Sequence, residues 1–148
     1  METITRTFAM EHAVFRDVFA QMEKILAGAP SLPEVKVLAT VAEGLLRDHG
    51  EAETNLAYAA LDHALADRKA LHRLYQDHRE IDERFRLIHR ATDPAEAQRL
   101  LKKTLASTRD HFRREEKNVF PLLEQTLQPE TLVTLGRNWM ESRAVAAA

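Results

Sequence analysis

Two stretches of this chain, "RDHGEAE" at 47–53 and "RDHFRREE" at 109–116, repeat one frame: Arg-Asp-His, three residues, then Glu. On a helix, residues i and i+4 stand one turn apart on the same face. His49 with Glu53, and His111 with Glu115, would each project an imidazole and a carboxylate side by side. Those are the donor types that hold divalent metals: neutral imidazole suits iron, zinc, copper or nickel, and a carboxylate can bridge two ions. One His-x-x-x-Glu pair means little in a helix-forming sequence. Two pairs at matching points of a longer repeat mean more.

The elements that must position these residues are helical. Strand signals are nearly absent, whereas apolar residues Ile4, Phe8, Phe15, Val18, Phe19, Met22 and Ile25 recur at helical spacing until Gly28 and Pro30. Ser31 and Glu34 form a capping-box signature for a second helix, which carries Val37, Val41, Leu45, Leu56 and Leu61 to about residue 65. Asp67 is the candidate N-cap of a third helix reaching about residue 91, although "ALADRKAL" has no glycine or proline to mark the break. Asp93-Pro94-Ala-Glu96 starts a fourth, running to about residue 127 with a bend at Pro121. Pro129 opens a short fifth helix holding Trp139. The expected fold is all-α: an up-down-up-down four-helix bundle with a short C-terminal fifth helix. A single domain is expected over 1–148, with its core at about 8–127 and the last helix at about 129–143.

Sliding one half of the chain over the other aligns more than the two pairs. His12 meets His78, Phe19 meets Phe85, and Leu61 and Leu65 fall on Leu123 and Leu127. Each half is a helical hairpin with His on its first helix and His-x-x-x-Glu on its second. Facing inward, the hairpins bring His12, His49, Glu53, His78, His111 and Glu115 to the bundle axis. Buried without partners these groups would be costly, and two divalent cations would satisfy them. All four repeat-matched histidines follow an acid: Glu11, Asp48, Asp77 and Asp110. From neighbouring helices such acids could receive the second ring N–H of a metal-binding histidine, though a solvated charge is the commoner role.

The other histidines have no counterpart. His63 and His89 carry Asp67 and Asp93 one turn on, near helix ends, where the acids are expected to cap the next helix. His89 shares nearly the face of His78 and could line the bundle's end; His72 is expected at the surface. No general acid or base stands out. Tyr58 is expected off the ligand face of its helix, and Tyr75, one turn before His78, could approach the pocket.

Composition narrows the function. With 45% hydrophobic and 30% charged residues, four glycines and five prolines, the chain is expected to be globular. A net charge of −2 with interspersed signs gives neither a basic stripe for nucleic acid nor a cationic membrane face. No apolar run approaches a membrane span, and "METITRTFAM" lacks a signal peptide's apolar stretch. No cysteine is present, which excludes thiolate ligands and disulfides, and a cytoplasmic location is the simplest expectation.

His12, His49-x-x-x-Glu53, His78, His111-x-x-x-Glu115 and the following "EEKNVFPLLE" resemble the hemerythrin-like, or HHE cation-binding, family across about residues 8–127. The resemblance implies a non-haem di-iron centre with an oxo or hydroxo bridge. It implies Glu53 and Glu115 bridging two irons, His12 and His49 on one and His78 and His111 on the other. Ligand chemistry alone also allows zinc or manganese. Oxygen-carrying members have a His-x-x-x-His pair on the third helix, where this chain has Leu74, and Asp82 is a poor substitute. The six-residue set is closer to bacterial iron-centre repair proteins of the superfamily, without their cysteine-containing N-terminal segment. The leading expectation is therefore a redox enzyme or stress sensor binding or reacting with O2, peroxide or nitric oxide, with peroxidase-like, catalase-like or NO-directed activity. An iron-storage or iron-delivery module and a metal-free helical interaction bundle are the alternatives.

Overall fold

The computed structural model describes residues 2–66 and 68–146. Helix α1 (Ile4–Ala27) starts at Thr3, whose hydroxyl accepts from the Arg6 amide at 3.3 Å. It ends at Gly28, and Ala29, at φ 49°, turns the chain ahead of Pro30. Helix α2 (Leu32–Ala52) has the expected reciprocal cap: Ser31 Oγ accepts from the Glu34 amide at 3.4 Å, and Glu34 Oε2 accepts from the Ser31 amide at 2.6 Å. A π-helical turn (Glu53–Tyr58) links it to α3 (Ala59–Ala64). Helix α4 (Lys69–Arg90) follows; the expected cap Asp67 lies outside the described residues. Helix α5 (Pro94–Arg114) begins at Asp93, which accepts from the Glu96 amide at 3.0 Å. A second π-helical turn (Glu115–Val119) precedes α6 (Phe120–Thr126), and α7 (Pro129–Ala146) closes the chain.

Helices α1, α2, α4 and α5 pack as the expected four-helix bundle, with α7 laid along α1. Its interior is two apolar clusters. One is built on Phe15, Phe19, Phe85, Leu101 and Phe112, the other on Ile4, Phe8, Tyr58, Leu61 and Leu123. His12 sits between Phe8 and Phe15 on α1, so a polar layer divides the two clusters. Among the described residues, no helix is long and apolar enough to cross a membrane.

Two expectations need correction. Val37 and Val41 are 63% and 48% exposed, so they do not form the inward stripe of α2. That stripe is Val35, Ala39, Ala42 and His49, all buried at helical spacing. The alanines let α2 approach its neighbours closely, and His49 fixes which face turns inward. The second and fourth long helices are also interrupted, each by a π-helical turn beginning at its glutamate. Pro121 is not the shared cause, because the first hairpin has the same turn without a proline.

Glycines give a direct check on the packing. A Cβ at Gly136 of α7 would lie 2.7 Å from Glu2 O and 3.0 Å from Ile4 N, whereas one at Gly44 of α2 meets nothing within 4 Å. Gly136→Ala is expected to destabilise the fold by about 1–3 kcal/mol in denaturant unfolding. Gly44→Ala should stabilise it by about 0.5–1 kcal/mol.

Candidate metal centre

All six residues expected to converge do so, and five of them are at most 2% exposed. His12 comes from α1, His49 from the last turn of α2, His78 from α4 and His111 from α5, while Glu53 and Glu115 open the two π-helical turns. The rings meet in pairs through Nε2: His12 and His49 at 3.0 Å, His78 and His111 at 3.0 Å.

The glutamates lie between the pairs. Glu53 Oε1 is 2.7 Å from His49 Nε2 and 3.5 Å from His12 Nε2, while its Oε2 is 3.2 Å from His78 Nε2 and 4.0 Å from His111 Nε2. Glu115 places Oε2 3.3 Å from His12 Nε2 and Oε1 3.4 Å from His111 Nε2. Each carboxylate thus directs its two oxygens to different histidine pairs. Despite these distances, both Glu53 oxygens and Glu115 Oε2 lack a hydrogen bond of acceptable geometry. Buried carboxylate oxygens without donors are rare and need an explanation. Donor atoms bound at about 2.0–2.2 Å to a shared cation sit roughly 3 Å from one another, the spacing found here. His12, His49, Glu53 and Glu115 form one group that could hold a metal ion, and Glu53, His78, His111 and Glu115 form a second.

Outside the ring of ligand atoms, three of the four histidines are held through Nδ1. His49 Nδ1 lies 2.6 Å from Glu11 Oε2, His111 Nδ1 3.1 Å from Asp77 Oδ2, and His12 Nδ1 2.9 Å from Glu116 Oε1. An arginine stands behind each acid: Arg143 on Glu11 at 2.8 Å, Arg114 on Asp77 at 2.7 Å, and Arg16 on Glu116 at 2.8 and 3.0 Å. Burial raises the pKa of Asp77, but hydrogen bonds from His111 and Arg114 outweigh it and hold it at about 2. Glu11 and Glu116 are likewise lowered, their partners overcoming burial. Such acids fix an Nδ1–H tautomer and turn the Nε2 lone pair inward.

Without a cation, protons must take its place. Burial disfavours charge on His49, yet the Glu53 charge and the Glu11 hydrogen bond raise its pKa to about 10. His12 and His111 are raised against burial by the same carboxylates. Burial pushes the Glu53 pKa up, but the His49 charge pulls it well below the usual carboxylate range.

A family model described as the hemerythrin HHE cation binding domain matches residues 3–123 and, in a second overlapping stretch, 69–147. The chain belongs to the hemerythrin HHE cation-binding family. No curated protein and no solved structure gives a significant match to it. Within this HHE domain, Leu74 is 2% exposed inside an apolar cluster, and Asp82 is exposed on a cavity wall outside both ligand groups. Of the four acids that precede the repeat-matched histidines, Glu11 and Asp77 each hold the histidine of the next helix. Asp48 and Asp110 are exposed, Asp110 pairing with Arg113. His89 pairs with Glu43 at 2.7 Å instead of entering the centre, and His72 is exposed as expected.

Tyr58 is the largest correction. It is 1% exposed, and its hydroxyl donates to Glu115 Oε1. On an uninterrupted α-helix it would point away from Glu53. The π-helical turn closes i to i+5, which rotates Tyr58 onto the ligand face. Burial, then the charges of Glu53 and Glu115, push the phenol pKa well up, so it stays a donor. Its repeat counterpart Phe120, five residues after Glu115, packs 5.6 Å from His12, much as Tyr58 lies 5.8 Å from His78. That match was the available signal. Glu116, which precedes no histidine, carried no comparable one.

Two outcomes follow for the centre. Tyr58→Phe should keep the fold and lower divalent-metal affinity about 10-fold in chelator competition, because Glu115 Oε1 loses its donor. Metal loading at pH 7 must release protons, since His49 is protonated below about 10 in the metal-free protein. Calorimetry in buffers of different ionisation enthalpy should detect that release, and affinity should rise with pH.

Proposed function

We propose that this HHE domain is a non-haem di-iron protein that binds or reacts with O2, peroxide or nitric oxide, as a redox enzyme or stress sensor. His12 and His49 would hold one iron, His78 and His111 the other, with Glu53 and Glu115 shared between them. One observation carries the reading: two buried carboxylates each turn their oxygens to opposite imidazole pairs, and three of those four oxygens have no hydrogen bond.

Iron, when bound, supplies redox chemistry and Lewis acidity. The residues of the chain supply the rest. Glu11, Asp77 and Glu116 orient three imidazoles; Phe8, Phe15 and Phe112 crowd His49 at 5.2–5.9 Å and keep water from it. Tyr58 holds a proton beside Glu115. Both histidine pairs receive the same complement, two imidazoles and one oxygen from each glutamate, and Leu74 adds nothing to either. Equal shortage of protein donors at the two positions favours chemistry involving both over reversible oxygen carriage, which benefits from one saturated and one open metal.

Protein purified from iron-supplied cells should contain about two irons per chain, the count of ligand groups in the centre. Glu53→Ala or Glu115→Ala should lose most of that iron and abolish consumption of added peroxide or NO. Chelation should lower the thermal midpoint by about 10 °C. Iron transfer to an apo acceptor without turnover would favour delivery instead, and metal-free, colourless protein would overturn the reading.

A further inference from the structure

The internal repeat is broken at three places around the centre, and all three breaks surround one histidine. The residue after His111 is Phe112, whose ring stacks on His12 with centroids 3.9 Å apart. The residue after His49 is Gly50, where a Cβ would lie only 3.6 Å from His78 Cε1. Glycine therefore leaves the His78 ring uncovered on the side where phenylalanine covers His12. The residue after Glu115 is Glu116, held by Arg16 and bonded to His12 Nδ1. At the equivalent positions stand Thr54, which makes no hydrogen bond to His78, and Asp82, which has the wrong charge to hold a carboxylate.

The consequence is a difference in access. Phe112, Glu116 and Arg16 close His12 to 0% side-chain exposure, whereas His78 keeps 21%. Gly50, Thr54 and Asp82 all line a cavity of about 320 Å3 between α2 and α4 that reaches His49, Glu53, His78 and His111 but not His12. A liquid water occupies about 30 Å3, so the cavity has room for several small molecules. Arg47, Arg79, Glu51 and Asp82 on its wall mix both signs, which selects for size over charge. We propose that small uncharged or monoanionic ligands enter through this cavity and meet the centre first on its His78 side, while His12, absent from the cavity wall, is sealed. The site of entry rests on the metal reading above; the exposure of His78 does not.

Two measurements test it. Metal-free protein is treated briefly with diethyl pyrocarbonate and its histidines are read by peptide mass spectrometry. His78 should be modified at least about tenfold faster than His12, His49 or His111, given 21% side-chain exposure for the one and at most 2% for the others. Equal protection of all four would overturn the proposal. In iron-loaded protein, azide binding is followed by the growth of its charge-transfer absorption in stopped flow. Gly50→Phe, which restores the cover that Phe112 gives His12, should slow azide entry at least about tenfold at unchanged iron content. Undiminished entry in a folded, iron-loaded Gly50→Phe protein would overturn it. Protein that takes up no iron fails the metal reading instead, and the labelling comparison still decides whether His78 is the open histidine.

Discussion

The centre of this molecule is an electrostatic debt of which five of six side chains are almost wholly withdrawn from water. Two carboxylates and four imidazoles share one layer of the bundle, and the acids behind three of the rings orient inward-facing nitrogen lone pairs. Such a layer is tolerable with cations or extra protons in it, and costly with neither. The surrounding fold is arranged to keep it in place. Apolar clusters lie on either side, α2 is thinned to alanines so that His49 can reach the axis, and arginines lock the supporting carboxylates from the surface.

The helical hairpins, their caps and the six converging side chains were readable because each rests on local rules. Spacing on a helix decides which side chains share a face, and Ser31 and Asp93 cap through their own side chains. The repeat then supplied the long-range information that single helices lack. The misreadings have two causes, tertiary packing and a local break in helix geometry. Val37 and Val41 have the right chemistry for a core, but burial on α2 is decided by where its neighbours lie, and small alanines win that contest. Tyr58 was placed by assuming a uniform helix, and no sequence rule announces a π-helical turn inside one. Glu116 supports a ring on a helix distant in sequence, which only tertiary packing could reveal.

The two π-helical turns are the backbone's part in the design. Each begins at a glutamate of the centre and returns the following residues to the axis one position later than an α-helix would. Tyr58 and Phe120 therefore face the same layer as the six converging side chains although their sequence phase says otherwise. The hairpins match in backbone while differing in what covers their histidines, so one scaffold holds two positions of unequal character.

The link from Arg143 through Glu11 to His49 gives the last helix a voice in the chemistry. Arg143 sits far along the chain from Glu11, yet its charge bears on the carboxylate that orients His49. The set of that imidazole is thereby tied to the docking of α7. Any contact that lifts that helix off α1 would loosen the hold on His49 without touching the six-residue layer itself.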